Sequence, residues 1–167
     1  MEYKTFWQDL KSGKFADMIQ DSSEGEILTS SQETANILIP LMATHDDVEV
    51  LYGIFLNTAN RIMSIEALST GSISGSNVYP REIIKRALAL KASTLILAHN
   101  HPSGRPEPSP QDKLITTHVM TVMIAMGINV LDHIIVGSNG NYYSFGDDGW
   151  MGAEKTRIDG LLRDTAV

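Results

Sequence analysis

Cysteine is absent from the 167 residues. That removes any disulfide framework and every thiolate metal site, so a metal held by this chain is bound by nitrogen and oxygen. It also excludes the zinc site of nucleobase deaminases, which needs cysteines. No apolar run approaches the length of a membrane span. The opening residues, Met1-Glu2-Tyr3-Lys4-Thr5-Phe6-Trp7-Gln8-Asp9, lack the basic-then-apolar pattern of a leader. The chain therefore reads as cytoplasmic, with no membrane partner. Basic residues are scarce: 13 against 20 acidic ones, for a net charge of −7. Proteins that grip nucleic acid by its phosphates carry a basic face, so direct DNA binding is read as weak or absent. Arg81, Lys85, Arg86 and Lys91 do cluster, but they read first as the solvated side of one helix. No internal repeat and no long linker divides the chain.

What is present suits one domain. The length is enough to bury a core without staples, and 43% apolar with 20% charged residues is ordinary for a globular protein. Phe6, Trp7, Leu10, Phe15, Met18 and Ile19 fit one or two short helices broken at Ser12-Gly13. Thr29-Ser30-Ser31 before Gln32-Glu33 marks a helix start; the helix should run to about Ala43, with Pro40 ending or kinking its last turn. Val50 to Leu56 reads as a buried strand, and Arg61 to Ala67 as its hairpin partner. Thr70 to Asn77 is a Gly/Ser-rich loop. Pro80 starts a helix with Ile83, Ile84, Ala87, Leu88 and Leu90 inward. Thr94 to Ala98 is a second buried strand. Ser109 opens a helix with Leu114, Ile115, Val119, Val122 and Met126 inward and Gly127 as its stop; Met120, Met123 and Met126 read as core filler or interface. Val130 to Val136 is a strand interrupted by Asp132-His133. Asn139-Gly140 turns it back through Asn141 to Phe145, and a helix follows from about Gly152. The fold class is α/β, a single mixed-sheet domain flanked by helices.

The chemistry concentrates where the second buried strand ends, at Leu97-Ala98-His99-Asn100-His101-Pro102-Ser103-Gly104. Two residues apart on an extended strand, His99 and His101 point to one face. Asp112 lies in the first turn of the following helix, where the ionised, metal-binding carboxylate is favoured. Two imidazoles and a carboxylate suit zinc with one position left open, the inventory of a hydrolase. A plainer reading stands beside it: Ser109-Pro110-Gln111-Asp112 fits a capping box with proline at the first helical position, so that Asp112 serves its own helix. The two readings can coexist, with Ser109 fixing where Asp112 points.

The motif resembles that of JAMM/MPN metalloproteases: His-X-His with Pro102 next, then Ser109 and Asp112 in a Ser-X-X-Asp. The fuller run His99 to Gly104, Glu107-Pro108-Ser109, Val78-Tyr79-Pro80-Arg81-Glu82 upstream and Val130-Leu131-Asp132-His133 downstream resembles the RadC-like branch. The resemblance covers about residues 29–150. It implies a JAB/MPN, cytidine-deaminase-like architecture, with zinc (Zn2+) held by His99, His101 and Asp112. It also implies that Ser109 polarises the substrate carbonyl or stabilises the oxyanion, and that an upstream glutamate moves the proton from zinc-bound water to the leaving amine. Glu49, at the start of the strand Val50–Leu56, is the choice for that glutamate; Glu66 is the alternative, and Glu82 reads as helix-dipole charge. His133 reads as a hydrogen-bonded core histidine, or as a support behind the metal ligands. Asp132 holds a neighbouring imidazole or faces solvent, and His45 and His118 have no partner pattern.

Three functions follow for comparison. A zinc metallopeptidase or isopeptidase acting on a peptide or isopeptide-linked protein accounts for the full ligand set. A DNA-repair or mobile-element accessory role draws on the family name and on the basic residues around Arg81. A non-catalytic MPN-type interaction module, for instance a homodimer, leaves Ser109 and Asp112 without a purpose. RadC-like proteins carry an N-terminal helix-hairpin-helix region, for which the 28 residues before the resembling part are too few. The organisation expected is an extension over 1–28, the RadC-like domain over 29–150, and a helical tail over 151–167.

Overall fold

Val50–Leu56 and Thr94–Asn100 are buried at every position, which puts both inside a sheet covered on its two faces. The computed structural model describes residues 8–9, 12–71 and 78–164. In chain order these form α1 (Lys14–Ser23), α2 (Ser31–Met42), β1 (Val50–Leu56), β2 (Ile62–Thr70), α3 (Pro80–Leu90), β3 (Thr94–Asn100), α4 (Pro110–Ala125), β4 (Asn129–Val136), β5 (Tyr142–Ser144) and α5 (Trp150–Asp164). The expectations for Phe6, Trp7 and Leu10, for most of the Gly/Ser-rich loop and for the last three residues lie outside the described residues.

The sheet is mixed, in the order β2-β1-β3-β4-β5. Strands β3 and β4 run parallel, joined by α4 as crossover; the other three pairs are antiparallel. Side chains alternate across it. Leu51, Phe55, Leu95 and Leu97 pack with Ile83 of α3, Val119 and Met123 of α4 and Ile158 of α5. Tyr52, Ile54, Ile96 and Ala98 pack with Leu38 and Leu41 of α2, and Ala16 and Ile19 of α1 join that face. By the same alternation His99 follows Leu97 onto the α4 side, and Asn100 follows Ala98 onto the α2 side.

Local sequence explains most of the element ends. Ser30 caps α2 by accepting from the Glu33 amide at 3.2 Å, while the Glu33 carboxylate accepts from the Thr29 amide and hydroxyl at 2.7 and 2.8 Å. Pro40 falls in the last turn of α2, which stops two residues later. Helix α3 opens on Pro80 and closes on Lys91 at φ 55°, whose amide reaches the Ala87 and Leu88 carbonyls.

The structure departs from the sequence reading at four elements. Strand β2 runs on to Thr70, because its pairing with β1 continues through a bulge as far as Val50. Strand β4 is not interrupted at Asp132-His133; both are buried, and the Asp132 carboxylate accepts from the His133 and Gly146 amides and the Ser144 hydroxyl. Satisfied in this way, it costs the strand little. Helix α4 buries Asp112, Thr116, Val119, Met120 and Met123 and leaves Leu114 and Met126 half exposed. Ile115, Val119 and Val122 do pack into the core; near the start of the helix Asp112 and Thr116 take the inner face in place of Leu114. Helix α5 begins at Trp150, ahead of Gly152.

The basic residues of α3 face acids: Arg81 and Lys85 pair with Glu82, and Arg86 pairs with Glu66. No helix among the described residues is long and apolar enough to cross a membrane.

Phe145 locks the β5–α5 corner onto the sheet. It is fully buried, stacks on the His133 ring at 5.2 Å and meets Trp150 edge-on at 5.0 Å. Phe145→Ala is expected to cost ~3–5 kcal/mol by urea unfolding, the range for a large cavity in a packed core.

Candidate metal centre

Glu49, His99, His101 and Asp112 each offer a ligand atom, all within 4.8 Å of one another. They come from three places in the chain. His99 is in β3 and His101 directly follows it. Asp112 is in the first turn of α4. Glu49 immediately precedes β1, on the face that Leu51 shares, and Leu51 is the strand partner of His99. The side chains of His99 and Asp112 are 0% and 2% exposed, those of His101 and Glu49 16% and 17%. The cluster is thus closed from behind and open on the His101–Glu49 side. An open depression lined by Ser103, Arg105 and Glu107 shares His101 as a wall.

The hydrogen bonds behind the cluster decide which imidazole nitrogens carry protons. The Thr116 hydroxyl donates to the Asp112 carbonyl at 2.5 Å. Having given its one hydrogen there, Thr116 Oγ1 accepts from His133 Nδ1 at 2.6 Å. His133 Nε2 is then the bare nitrogen of a neutral ring and accepts from His99 Nδ1 at 2.8 Å. His99 is left with a free lone pair on Nε2. On His101, Nδ1 lies 2.7 Å from the Arg105 carbonyl, which can only accept, so this ring too presents Nε2 with its lone pair outward.

Those two Nε2 atoms are 2.9 Å apart. Asp112 Oδ1 lies 3.2 Å from the first and Oδ2 3.3 Å from the second, and Glu49 Oε1 is 3.6 Å from His99 Nε2. Four acceptor groups facing one point repel one another unless a positive charge sits among them. A divalent cation with nitrogen and oxygen ligands fits this donor set. A proton on His101 Nε2 meets the same demand: the hydrogen bond that the protonated ring donates to Asp112 is the main cause that raises its pKa above the ordinary imidazole value.

Asp112 is both helix cap and cluster member. The Ser109 amide donates to its Oδ2 at 2.6 Å while the Asp112 amide donates to Ser109 Oγ at 3.1 Å, a reciprocal capping box. Burial works to protonate the carboxylate, but hydrogen bonds donated by His101 and His99 when their Nε2 atoms carry a proton, and by the Ser109 amide, outweigh it and hold Asp112 well below the usual carboxylate range. In capping the helix Ser109 uses a lone pair, which leaves its O–H to donate elsewhere.

The other candidates lie apart. Glu66 takes three contacts of 2.7–2.9 Å from Arg86 and one of 2.7 Å from Ser64, and the Arg86 hydrogen bonds lower its pKa. Glu82 is held by Lys85 and Arg81 on the surface. His45 Nε2 contacts the Tyr52 hydroxyl at 3.1 Å on the α2 side, and His118 is exposed on α4.

Residues 28–150 match the RadC-like JAB domain. The chain belongs to that family. It is 45% identical over 128 residues to a UPF0758 protein of Photobacterium profundum, covering 77% of this chain and 56% of that protein. It is 42% identical over 127 residues to a UPF0758 protein of Vibrio vulnificus, covering 76% and 56%. A third UPF0758 protein, from Histophilus somni, is 42% identical over 122 residues, covering 73% and 54%. The matching part thus spans a little over half the length of these relatives. The mixed sheet with helices on both faces is the α/β arrangement of a JAB domain.

Within this JAB domain, two contributors carry no motif of their own. Thr116 sits four residues after Asp112, on the same helical face; that spacing is a weak signal that on its own does not single it out. Asn100 stands between the two histidines and faces the opposite side of the sheet.

His133 gives the metal-free protein a pH signature. Burial, reinforced by the neighbouring His99, holds its pKa well below the ordinary value. In the unfolded chain it takes up a proton below about pH 6.5, while the folded protein keeps it neutral, so stability falls as pH drops through that point. The difference in stability between the wild type and His133→Gln is expected to change by up to ~1.4 kcal/mol per pH unit between about pH 6.5 and 4.5. Urea titrations at several pH values in the presence of a chelator measure it.

Proposed function

We propose that this chain is a zinc-dependent metallohydrolase acting on peptide or isopeptide bonds. The observation that carries the reading is the convergence of two bare Nε2 atoms and the Asp112 carboxylate, with Glu49 beside them on the open side. His99, His101 and Asp112 would hold the ion, which when bound supplies a Lewis acid that brings water ionisation toward neutral pH.

The chain's own residues would do the rest. Glu49, partly exposed at the mouth, is placed to take a proton from the attacking water and return it to the departing amine. Ser109 keeps its O–H free while capping α4 and is suited to donate to the carbonyl oxygen as negative charge builds there. His133 and Thr116 keep His99 in its ligating tautomer through the reaction. Glu66, committed to Arg86, is poorly suited to the proton relay.

The test uses internally quenched peptides and a probe whose bond joins a carboxyl terminus to a lysine Nε. Cleavage of at least one class is expected, abolished by a chelator and restored by Zn2+. Failure of the zinc-loaded protein to cleave either class overturns the reading.

A further inference from the structure

Asn100 lies between His99 and His101 but faces away from the cluster, and all three of its side-chain hydrogen bonds go to one segment. Its Oδ1 accepts from the Val50 amide at 2.8 Å. Its Nδ2 donates to the His45 and Val48 carbonyls at 2.5 and 2.9 Å. An amide oxygen facing a donor, with an amide nitrogen facing two acceptors, admits one orientation of the group. Asn100 is 5% exposed and its bond with the Val50 amide is buried, so losing that partner leaves a buried group unsatisfied.

The three bonds bracket Glu49. Asn100 holds the carbonyl of Val48, the residue before it, and the amide of Val50, the residue after it; the Glu49 carbonyl accepts from the Gly71 amide at 2.8 Å. The segment from His45 to Glu49 belongs to no helix or strand, so no regular ladder fixes its backbone. The strand's alternation gives the device its logic. His99 and His101 reach one face of the sheet as ligands, and the residue between them reaches the other and ties down the segment that brings the glutamate to them.

We propose that Asn100 is the positioning residue for Glu49, setting its carboxylate against the metal cluster without touching it. This rests on the metallohydrolase reading above. It assigns the residue between the histidines a chemical requirement: one acceptor and two donors in the plane of an amide. Aspartate, of the same shape, would turn an acceptor toward two carbonyls.

The test follows the carboxyl carbon of Glu49 by NMR in the full chain labelled with 13C-glutamate, the signal being assigned by Glu49→Gln. Zn2+ alone is the probe. In the wild type, Zn2+ is expected to shift this signal. In Asn100→Asp and Asn100→Ala most of the shift should be lost and the Val50 amide should exchange faster. Zn2+ affinity should change by well under the ~10-fold that loss of a ligand's own hydrogen-bond partner costs. Where a cleavable peptide is in hand, kcat should drop by up to ~100-fold with KM retained, and Asn100→Ala should add nothing to Glu49→Gln. Should Asn100→Ala not fold, the isosteric Asn100→Asp decides. An undiminished Glu49 shift in the variants, or no shift in a wild type that binds Zn2+, overturns the role of Asn100. A wild type that binds Zn2+ and cleaves nothing overturns the hydrolase reading and leaves this measurement standing. A wild type that binds no Zn2+ overturns both.

Discussion

His101→Ala is expected to weaken zinc binding by more than ~100-fold, exceeding the 10–100-fold typical of losing a partner behind a ligand. The wild type should hold about one equivalent. The contrast that gives the experiment its force is Thr116→Val. Thr116 is buried; it reaches the ligand side chains through His133 and His99, and its hydroxyl also donates to the Asp112 backbone carbonyl. Removing its hydroxyl leaves His133 Nδ1 without an acceptor and frees the ring to change tautomer. His133 would then donate toward His99 Nδ1 and drive the His99 proton to the nitrogen that faces the cluster. The expected loss for Thr116→Val is ~10–100-fold. Competition against a chromophoric chelator, with metal analysis of the purified proteins, reads both variants. A His101→Ala protein that keeps a full equivalent at wild-type affinity removes the assignment of this cluster as the metal centre.

Glu49→Gln should lower kcat by ~10²–10⁴-fold, the span for removal of a general base, while zinc content stays near that of the wild type. Glutamine keeps the size and polarity of the side chain but can neither take nor return the proton. Glu66→Gln is the matched control. Its carboxylate lies under Arg86, partly exposed, and an ion pair of that kind contributes about 1 kcal/mol or less to stability. Turnover should survive it. The opposite outcome, a silent Glu49→Gln and an inactive Glu66→Gln, would move the proton relay to the β2–α3 side and leave the acid beside His99 without a catalytic role.

Much of this site was legible because its residues are close in sequence. His99, His101, Ser109 and Asp112 fall within fourteen positions, and their elements carry strong local signals: an apolar run for β3, serine and proline for the start of α4. Glu49 is different. Fifty residues from His99, it reaches the cluster only through the antiparallel pairing of β1 with β3, a long-range fact that no local pattern encodes. Thr116 and Asn100 were illegible for a related reason. What they hold depends on two or three hydrogen bonds each to backbone or to another side chain, and a threonine in a helix or an asparagine at a strand end has many ordinary explanations. On α4 hydrophobicity reads Ile115, Val119 and Val122 inward correctly but misplaces Leu114 and Met126, because near its start Asp112 and Thr116 take the inner face. At Asp132-His133 the polarity that suggested a break in β4 is absorbed by the 144–146 turn and by the chain of imidazoles.

One feature of the sheet bears on how the protein comes apart. Strand β3 is third of five, hydrogen-bonded along its length to β1 on one side and β4 on the other. Openings that fray α1, peel β5 or loosen the β2 edge break none of those ladders. Freeing the His99 backbone requires both to separate, which is the unfolding of the whole sheet. The ligand-bearing strand therefore belongs to the slowest-opening unit of the molecule, while Asp112 on α4 and Glu49 before β1 are held to it by their own contacts.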